Sequence, residues 1–211
     1  SSIITAAWSP DSTKIVSGSG STLQVWHANE LDAGPIATGT GHTSLVASVA
    51  WSPDGMEIVS GSEDGTLKMW DASAGTLVMS AETGAGYPGC SALSTARKIL
   101  IVGFADSQGI KAYDTESLAC VRTYAGHTEG VHDLAVHPDG QKFVSVSYDK
   151  TARVWDLQSG ESEHEFAPFG GYVFCIALNH TYFAFGGASG ELALFDVDSR
   201  ELSRRCEGHD D

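Results

Sequence analysis

The sequence predicts an all-β fold built from five copies of one four-stranded unit. A Pro-Asp turn recurs in phase, in WSPDS at 8–12, WSPDG at 51–55 and HPDG at 137–140. An aromatic residue closes each copy at intervals of 40 to 44 residues, at Trp26, Trp70, Tyr113, Trp155 and Phe195. Self-similarity at a fixed period of this length indicates a repeat architecture. The expected repeats are about 1–40, 41–84, 85–125, 126–166 and 167–207, with a stub of a further repeat at 208–211.

The fourth repeat shows why the unit is a sheet. Short segments rich in β-branched and aromatic residues alternate with turn clusters such as Pro138-Asp139-Gly140. The predicted strands are Val131–Val136, Phe143–Ser147, Thr151–Leu157 and Glu163–Phe166. A sheet of about 40 residues cannot bury both of its faces alone, whereas sheets placed around an axis bury them against one another. The sequence therefore predicts a propeller whose blades are four-stranded antiparallel sheets.

Charge excludes several classes of function. The chain has 12 basic and 27 acidic residues among its 211, a formal net charge of −15. Nucleic-acid binding requires a basic footprint, and anionic membrane surfaces repel an acidic chain, so neither partner is expected. The His residues are scattered, and neither a metal site nor another cofactor is predicted. The four Cys form no C-x-x-C pair, which favours buried, reduced thiols in an intracellular protein of the cytoplasm or nucleus.

Two dipeptides carry a resemblance to a known family. Gly-His occurs at 41–42, 126–127 and 208–209, and Trp-Asp occurs at 70–71 and 155–156. In these features and in its period the whole chain resembles the WD-repeat family of β-propellers. The resemblance implies that the five visible blades belong to a larger ring, commonly of seven blades. A closed ring of five blades is the alternative.

The resemblance also implies a buried, hydrogen-bonded tetrad in two blades. Its members would be His42, Ser62, Asp64 and Trp70 in the second blade, and His127, Ser147, Asp149 and Trp155 in the fourth. Ser, His and Asp are also the residues of a hydrolase. However, the set occurs twice at the repeat period, and a nucleophile triad needs no Trp. We therefore expect these groups to stabilise the blades and expect no catalytic residue.

The other three blades lack a complete tetrad. The first has Ser19 and Trp26 without the Asp, the third has Tyr113-Asp114 without Gly-His, and the fifth has Gly187 where the Ser is expected. These blades have to depend on apolar packing. We expect them to be less stable than the second and fourth blades.

WD-repeat proteins mostly bind other proteins on the face of the propeller. The matching positions in this chain are Tyr87, His132, Tyr148, Tyr172 and Phe174. Aromatic side chains anchor interfaces because they combine a large apolar area with a polar tip. The predicted function is a non-catalytic scaffold that docks a partner protein or peptide, within a multi-subunit complex or beside further blades. A glycan-binding propeller is the alternative, and a serine hydrolase is the weaker competitor.

Overall fold

The protein is described by a computed structural model that covers residues 2–84, 86–94, 96–106, 109–166 and 170–207. These residues form five four-stranded antiparallel sheets and one short 3-10 helix, Leu31–Ala33. In every sheet each strand pairs with the strand that follows it in the chain. The predicted all-β fold of five four-stranded blades is confirmed, and the Gly-His of the predicted stub lies outside the described residues.

The strands of the first three blades lie within the first three predicted repeats. The first blade contains β1 (Ile3–Trp8), β2 (Lys14–Ser19), β3 (Thr22–His27) and β4 (Ala37–Thr40). The second contains β5 (Val46–Trp51), β6 (Glu57–Ser62), β7 (Thr66–Asp71) and β8 (Leu77–Glu82). The third contains β9 (Pro88–Ser94), β10 (Ile99–Phe104), β11 (Ile110–Asp114) and β12 (Cys120–Tyr124).

The last two blades follow the same plan. The fourth contains β13 (Val131–Val136), β14 (Lys142–Ser147), β15 (Ala152–Asp156) and β16 (Ser162–Phe166). The fifth contains β17 (Val173–Leu178), β18 (Tyr182–Gly187), β19 (Glu191–Asp196) and β20 (Leu202–Glu207). The four strands predicted in the fourth repeat are all present, with ends that differ by at most one residue.

The recurring Pro-Asp turn joins the first and second strands of a blade through side-chain hydrogen bonds. Ser52 Oγ donates to Asp54 Oδ1 at 2.7 Å and accepts from the backbone N–H of Glu57 at 2.8 Å. Gly55 then adopts a φ of 71°, a conformation that disfavours residues with a Cβ. Ser9 and Asp11 form the same hydrogen bond in the first blade, at 2.6 Å. The sequence motif is therefore a local element that stabilises the turn between the first and second strands.

The Asp of each Trp-Asp pair closes the turn between the third and fourth strands. Asp71 Oδ1 accepts hydrogen bonds from the backbone N–H groups of Ser73 and Ala74, each at 2.8 Å. Asp156 makes the same kind of turn, with Ser159 as one of its donors. Such turns satisfy backbone donors that no strand pairs. This Asp is thus a turn residue and takes no part in the tetrad.

Apolar cores hold neighbouring blades together. Val16 and Leu23 of the first blade form one buried cluster with Ile58 and Trp70 of the second. Equivalent clusters join the second blade to the third, the third to the fourth, and the fourth to the fifth. No such cluster joins the fifth blade to the first within the described ranges. The number of blades in the ring remains a prediction.

Only part of the prediction for the cysteines is confirmed. All four are free, and Cys90 is buried beside the backbone carbonyl of Val131 in the next blade. Cys120, Cys175 and Cys206 are exposed, so the expectation that the thiols are buried is wrong for these three. Cys175 occupies the same strand position in β17 as Cys90 does in β9. It is exposed because no described sheet packs on the outer face of the fifth blade.

Candidate functional site

The second blade contains a closed polar network of four side chains. His42 Nδ1 lies 2.8 Å from Asp64 Oδ2, and His42 Nε2 lies 2.7 Å from Ser60 Oγ. The indole N–H of Trp70 donates to the same Ser60 oxygen at 2.8 Å. The side chain of His42 and the whole of Ser60 are 0% exposed. One hydroxyl oxygen therefore links the imidazole to the indole inside the blade.

The fourth blade repeats this network almost atom for atom. His127 lies 2.7 Å from Asp149 through Nδ1 and 2.7 Å from Ser145 Oγ through Nε2. Trp155 Nε1 donates to Ser145 Oγ at 2.8 Å, as Trp70 does to Ser60. The hydroxyl of Ser145 is buried in the same way. The same geometry at the repeat period is expected of a structural element of the blade.

The tetrad serines are Ser60 and Ser145, so the assignment of Ser62 and Ser147 is wrong. Side chains alternate between the two faces of a strand, so Ser60 and Ser62 project on the same side and both fit the sequence pattern. Only Ser60 is placed where His42 and Trp70 reach it together. Ser62 Oγ instead accepts from the N–H of Asp64 at 3.2 Å.

Ser147 has a comparable role in the fourth blade. Its Oγ accepts from the N–H of Asp149 at 3.1 Å and donates to the carbonyl oxygen of Gly130 at 2.9 Å. These contacts shape the turn that carries Tyr148. The remaining six predicted tetrad residues meet as expected: His42, Asp64, Trp70, His127, Asp149 and Trp155.

A threonine that the sequence analysis did not single out completes each network. Thr66 Oγ1 donates to Asp64 Oδ1 at 2.6 Å, and Thr151 does the same to Asp149. The backbone N–H of Thr43 donates to Asp64 Oδ2 at 2.9 Å. The spacing Asp-x-Thr in both blades was the available signal.

Burial and hydrogen bonding set the charge states. Burial lowers the pKa of His42 and His127, and the neighbouring carboxylates offset only part of this effect. Burial by itself would raise the pKa of Asp64, but hydrogen bonds from Thr66, Thr43 and His42 outweigh it and lower the pKa to about 2. A neutral imidazole then donates from Nδ1 to the carboxylate and accepts the serine proton at Nε2.

The order Asp-His-Ser is that of a catalytic triad, but its surroundings differ. A nucleophilic serine needs an open site in which a carbonyl group can approach its oxygen. Ser60 and Ser145 are each 0% exposed, and each oxygen already accepts the N–H of a Trp. Satisfied polar networks of this kind specify how buried elements pack.

The other three blades keep parts of the network. In the first blade the partner of Trp26 is Ser17 at 2.8 Å, and the assignment of Ser19 is wrong. In the third blade strand pairing places Val102 at the serine position, and among the described residues the buried hydroxyl of Tyr113 has no hydrogen-bond partner. In the fifth blade Phe185 occupies the serine position, where the sequence analysis placed Gly187.

Four of the five predicted docking residues form one cluster of rings, which we call the aromatic cluster: His132, Tyr148, Tyr172 and Phe174. The ring of Tyr148 lies 5.2 Å from that of His132 and 5.4 Å from that of Tyr172, both edge to face. Phe174 lies 5.2 Å from His132 and 6.3 Å from Tyr148. All of these contacts except that between Tyr148 and His132 cross from the fourth blade to the fifth.

The aromatic cluster is accessible at one end of the blades. Tyr172 is 44% exposed and Phe174 is 38% exposed, whereas Tyr148 is half-buried. The fifth candidate, Tyr87, is 52% exposed at the start of β9 in the third blade. No ring contact joins Tyr87 to the cluster among the described residues. The structure thus brings four of the predicted docking residues together and leaves Tyr87 apart.

Charged groups border the aromatic cluster. Tyr148 and Tyr172 line an open concavity of about 560 Å³, and Asp106 and Glu129 line it with them. Lys150 Nζ lies 5.8 Å from the centre of the Tyr172 ring, within the range of a cation–π contact. The site therefore combines exposed rings with carboxylates and one lysine.

Neither a metal-binding cluster nor a membrane-spanning helix is seen among the described residues. Within the described ranges, no group of three or more His, Cys, Asp or Glu side chains is placed to hold a metal ion. Over the same residues, no helix has the length and apolar character needed to cross a membrane.

Comparison with known proteins agrees with this architecture. The family model of the WD domain, G-beta repeat, matches residues 1–27, 33–71 and 118–156. Nuclear distribution protein PAC1 of Arthroderma otae is 30% identical over 83% of this chain and 41% of its own length. Transducin-like enhancer protein 2 of Mus musculus is 28% identical, over 66% of this chain and 18% of its own.

A third relative is Protein groucho of Drosophila melanogaster, 31% identical over 50% of this chain and 15% of its own length. The chain thus matches less than half the length of each of these curated relatives. The family match, these relatives and the five four-stranded sheets agree with one another. The chain belongs to the WD-repeat family.

Proposed function

We propose that this protein is a non-catalytic scaffold that docks a partner protein or peptide on the aromatic cluster. WD-repeat proteins are generally scaffolds that bind other proteins. The observation that carries the proposal is the contact of four rings across two blades, with Tyr172 and Phe174 more than one third exposed. Exposed aromatic groups on a rigid support are the usual anchors of a protein interface.

The buried networks support the non-catalytic part of the proposal. Ser60 and Ser145 are hydrogen-bonded to His residues, as the nucleophile of a serine hydrolase is, but neither hydroxyl is exposed. Their hydrogen bonds to His and Trp are those of a packed structural unit. We therefore propose that the His, Ser, Asp and Trp residues of the two networks stabilise the blades and that the exposed rings bind the partner.

The expected location of the protein is intracellular, in the cytoplasm or nucleus. All four cysteines are free thiols, as a reducing compartment would keep them. The name of one relative, nuclear distribution protein, is compatible with an intracellular role. The net charge of −15 supports the expectation that neither nucleic acid nor an anionic membrane is the partner.

The proposal is tested by purifying tagged protein from an extract of the cells that express it. Wild type is compared with the double variant Tyr148→Ala plus Phe174→Ala. Met56→Ala is the matched control. Met56 is a 68% exposed apolar residue in the turn between β5 and β6 of the second blade, away from the aromatic cluster. We expect a co-purifying protein to be lost from the double variant and kept by the control.

Two further assays separate the alternatives. A glycan array tests the lectin function, and an activity-based serine probe tests the hydrolase function. Binding to defined glycans that the double variant loses, or labelling of Ser60 or Ser145 by the probe, would contradict the docking proposal. Retention of every partner by the double variant would also contradict it.

A further inference from the structure

The charges around the aromatic cluster indicate the chemistry of the partner, provided that the docking proposal holds. Glu129 lies at the start of the fourth blade and lines the same concavity as Tyr148 and Tyr172. Glu129 is exposed, and none of the ion pairs seen among the described residues involves it. Asp106, in the turn that follows β10 of the third blade, also lines the concavity. Two acidic residues thus line a space that Tyr148 and the exposed Tyr172 also line.

The ring of Tyr172 already has a cation over it. Lys150 Nζ lies 5.8 Å from the ring centre. Lys150 adopts a φ of 68° at the turn position where the second blade has Gly65, with a φ of 80°. Residues other than Gly are disfavoured in this backbone conformation. The fourth blade therefore holds a lysine in a strained position, from which its charge reaches the Tyr172 ring.

We propose that the partner presents a basic segment and places an Arg or Lys side chain over Tyr172, beside Glu129. The partner's cation would displace Lys150 from the ring. Three features favour a basic occupant over an acidic one. The ring face attracts cations, the concavity carries two carboxylates, and the chain as a whole has 27 acidic and 12 basic residues. Complementary charge of this kind also accelerates encounter with the partner.

Lys150 gives the proposal a test that depends on the sign of an effect. If the occupant is basic, removal of Lys150 relieves repulsion and frees the ring, so the occupant binds more tightly. If the occupant is acidic, removal of Lys150 weakens binding. Lys150→Gly is the suitable variant, because Gly is the residue of the second blade at this position and tolerates the positive φ.

The experiment measures fluorescence anisotropy with three labelled hexapeptides of sequence (Gly-Arg)₃, (Gly-Glu)₃ and (Gly-Gln)₃. The proteins are wild type, Lys150→Gly, Glu129→Gln and Tyr172→Leu, and the unfolding midpoint of each is measured to show that it is folded at the assay temperature. Glu161→Gln is the control, because it removes one exposed negative charge at the opposite end of the fourth blade. This control separates a local effect from the effect of net charge.

We expect the arginine peptide to bind wild type and the other two peptides to bind far more weakly. Lys150→Gly should raise affinity for the arginine peptide by about threefold, and Glu129→Gln and Tyr172→Leu should each lower it by about threefold. Glu161→Gln should have little effect. Weaker binding by Lys150→Gly, equal effects of Glu129→Gln and Glu161→Gln, or preference for the glutamate peptide would overturn the inference.

Failure of this inference is distinguishable from failure of the docking proposal. If the arginine peptide does not bind but a captured partner still requires Tyr148 and Phe174, the cluster docks a partner of other chemistry. If the captured partner binds equally well without those two rings, the docking surface itself is wrongly placed.

Discussion

The hydroxyl oxygen of Ser60 lies 2.7 Å from Nε2 of His42, in the interior of the second blade. The same oxygen accepts the indole N–H of Trp70. Replacing Ser60 by Ala would leave two buried polar groups without a partner. We expect Ser60→Ala to lower the free energy of unfolding by about 1–3 kcal/mol, measured by denaturant titration.

Ser62→Ala is the matched control for that prediction. Ser62 is the same residue type two positions along the same strand, and its side chain accepts one backbone hydrogen bond of 3.2 Å. We expect a loss of less than about 1 kcal/mol. A larger loss for Ser62→Ala than for Ser60→Ala would mean that the network is built around the other serine.

The tetrads also predict how stability depends on pH. Burial lowers the pKa of His42 and His127 in the folded state. Between the folded pKa and the unfolded value of about 6.5, the unfolded chain binds protons that the folded chain does not. The contribution of these residues to stability is therefore complete above about pH 6.5 and decreases as the pH falls below it.

Unfolding free energies at pH 7.5 and 5.5 test this dependence. The double variant His42→Gln plus His127→Gln should be less stable at both pH values but should lose less between them than wild type does. The carboxylate of Asp64, with a pKa of about 2, stays ionised throughout this range and does not contribute to the difference. Equal losses in wild type and variant would show that other groups cause the pH dependence.

The repeat period, the turns and the strands could be predicted from the sequence because each depends on local residue preferences. Pro, Asp and Gly favour turns, and β-branched and aromatic residues favour strands. Strand alternation limited the prediction of the tetrads, because Ser60 and Ser62 project from the same face of β6 and only packing chooses between them. The sequence also could not predict which of the candidate docking residues lie close together in the folded protein. Tyr148 meets Tyr172 across two blades, whereas Tyr87 lies apart, and no spacing in the sequence distinguishes these cases.

In the third blade we expect a substitution to increase stability, in contrast to Ser60→Ala in the second blade. Tyr113 fills the position of the tetrad Trp, is 1% exposed, and has no described hydrogen-bond partner for its hydroxyl group. Burying an unsatisfied hydroxyl is unfavourable. We expect Tyr113→Phe to raise the free energy of unfolding by about 1 kcal/mol in a denaturant titration.

Tyr124→Phe is the control, because Tyr124 is equally buried but donates to the carbonyl oxygen of Leu157 at 3.2 Å. Removing that hydroxyl should lower stability by about 1 kcal/mol. If both variants lose stability to the same extent, the hydroxyl of Tyr113 has a partner in solution, and the third blade holds a network of its own.

The Asp that closes the third-to-fourth-strand turn should matter in every blade that has it. In the fifth blade Asp196 accepts hydrogen bonds from the N–H groups of Asp198 and Ser199 at 3.0 and 2.9 Å. We expect Asp196→Ala to lower the thermal unfolding midpoint, by an amount equivalent to about 1 kcal/mol. Asp198→Ala, an exposed change in the same turn, should leave the midpoint almost unchanged. A midpoint lowered equally by both variants would indicate a general charge effect.

The central claim is that the buried networks stabilise the blades and that the aromatic cluster binds the partner. It is tested most directly by the affinity of one captured partner for two purified variants, measured at a temperature where both are folded. We predict that Tyr148→Ala plus Phe174→Ala lowers the affinity at least about tenfold, as expected for the loss of interface anchors. Because this variant also loses ring contacts between the fourth and fifth blades, its affinity is measured only where its unfolding curve shows it to be fully folded. Ser145→Ala should bind the partner as wild type does while unfolding more readily. Loss of binding by Ser145→Ala, with wild-type affinity in the aromatic double variant, would contradict the assignment of both sites.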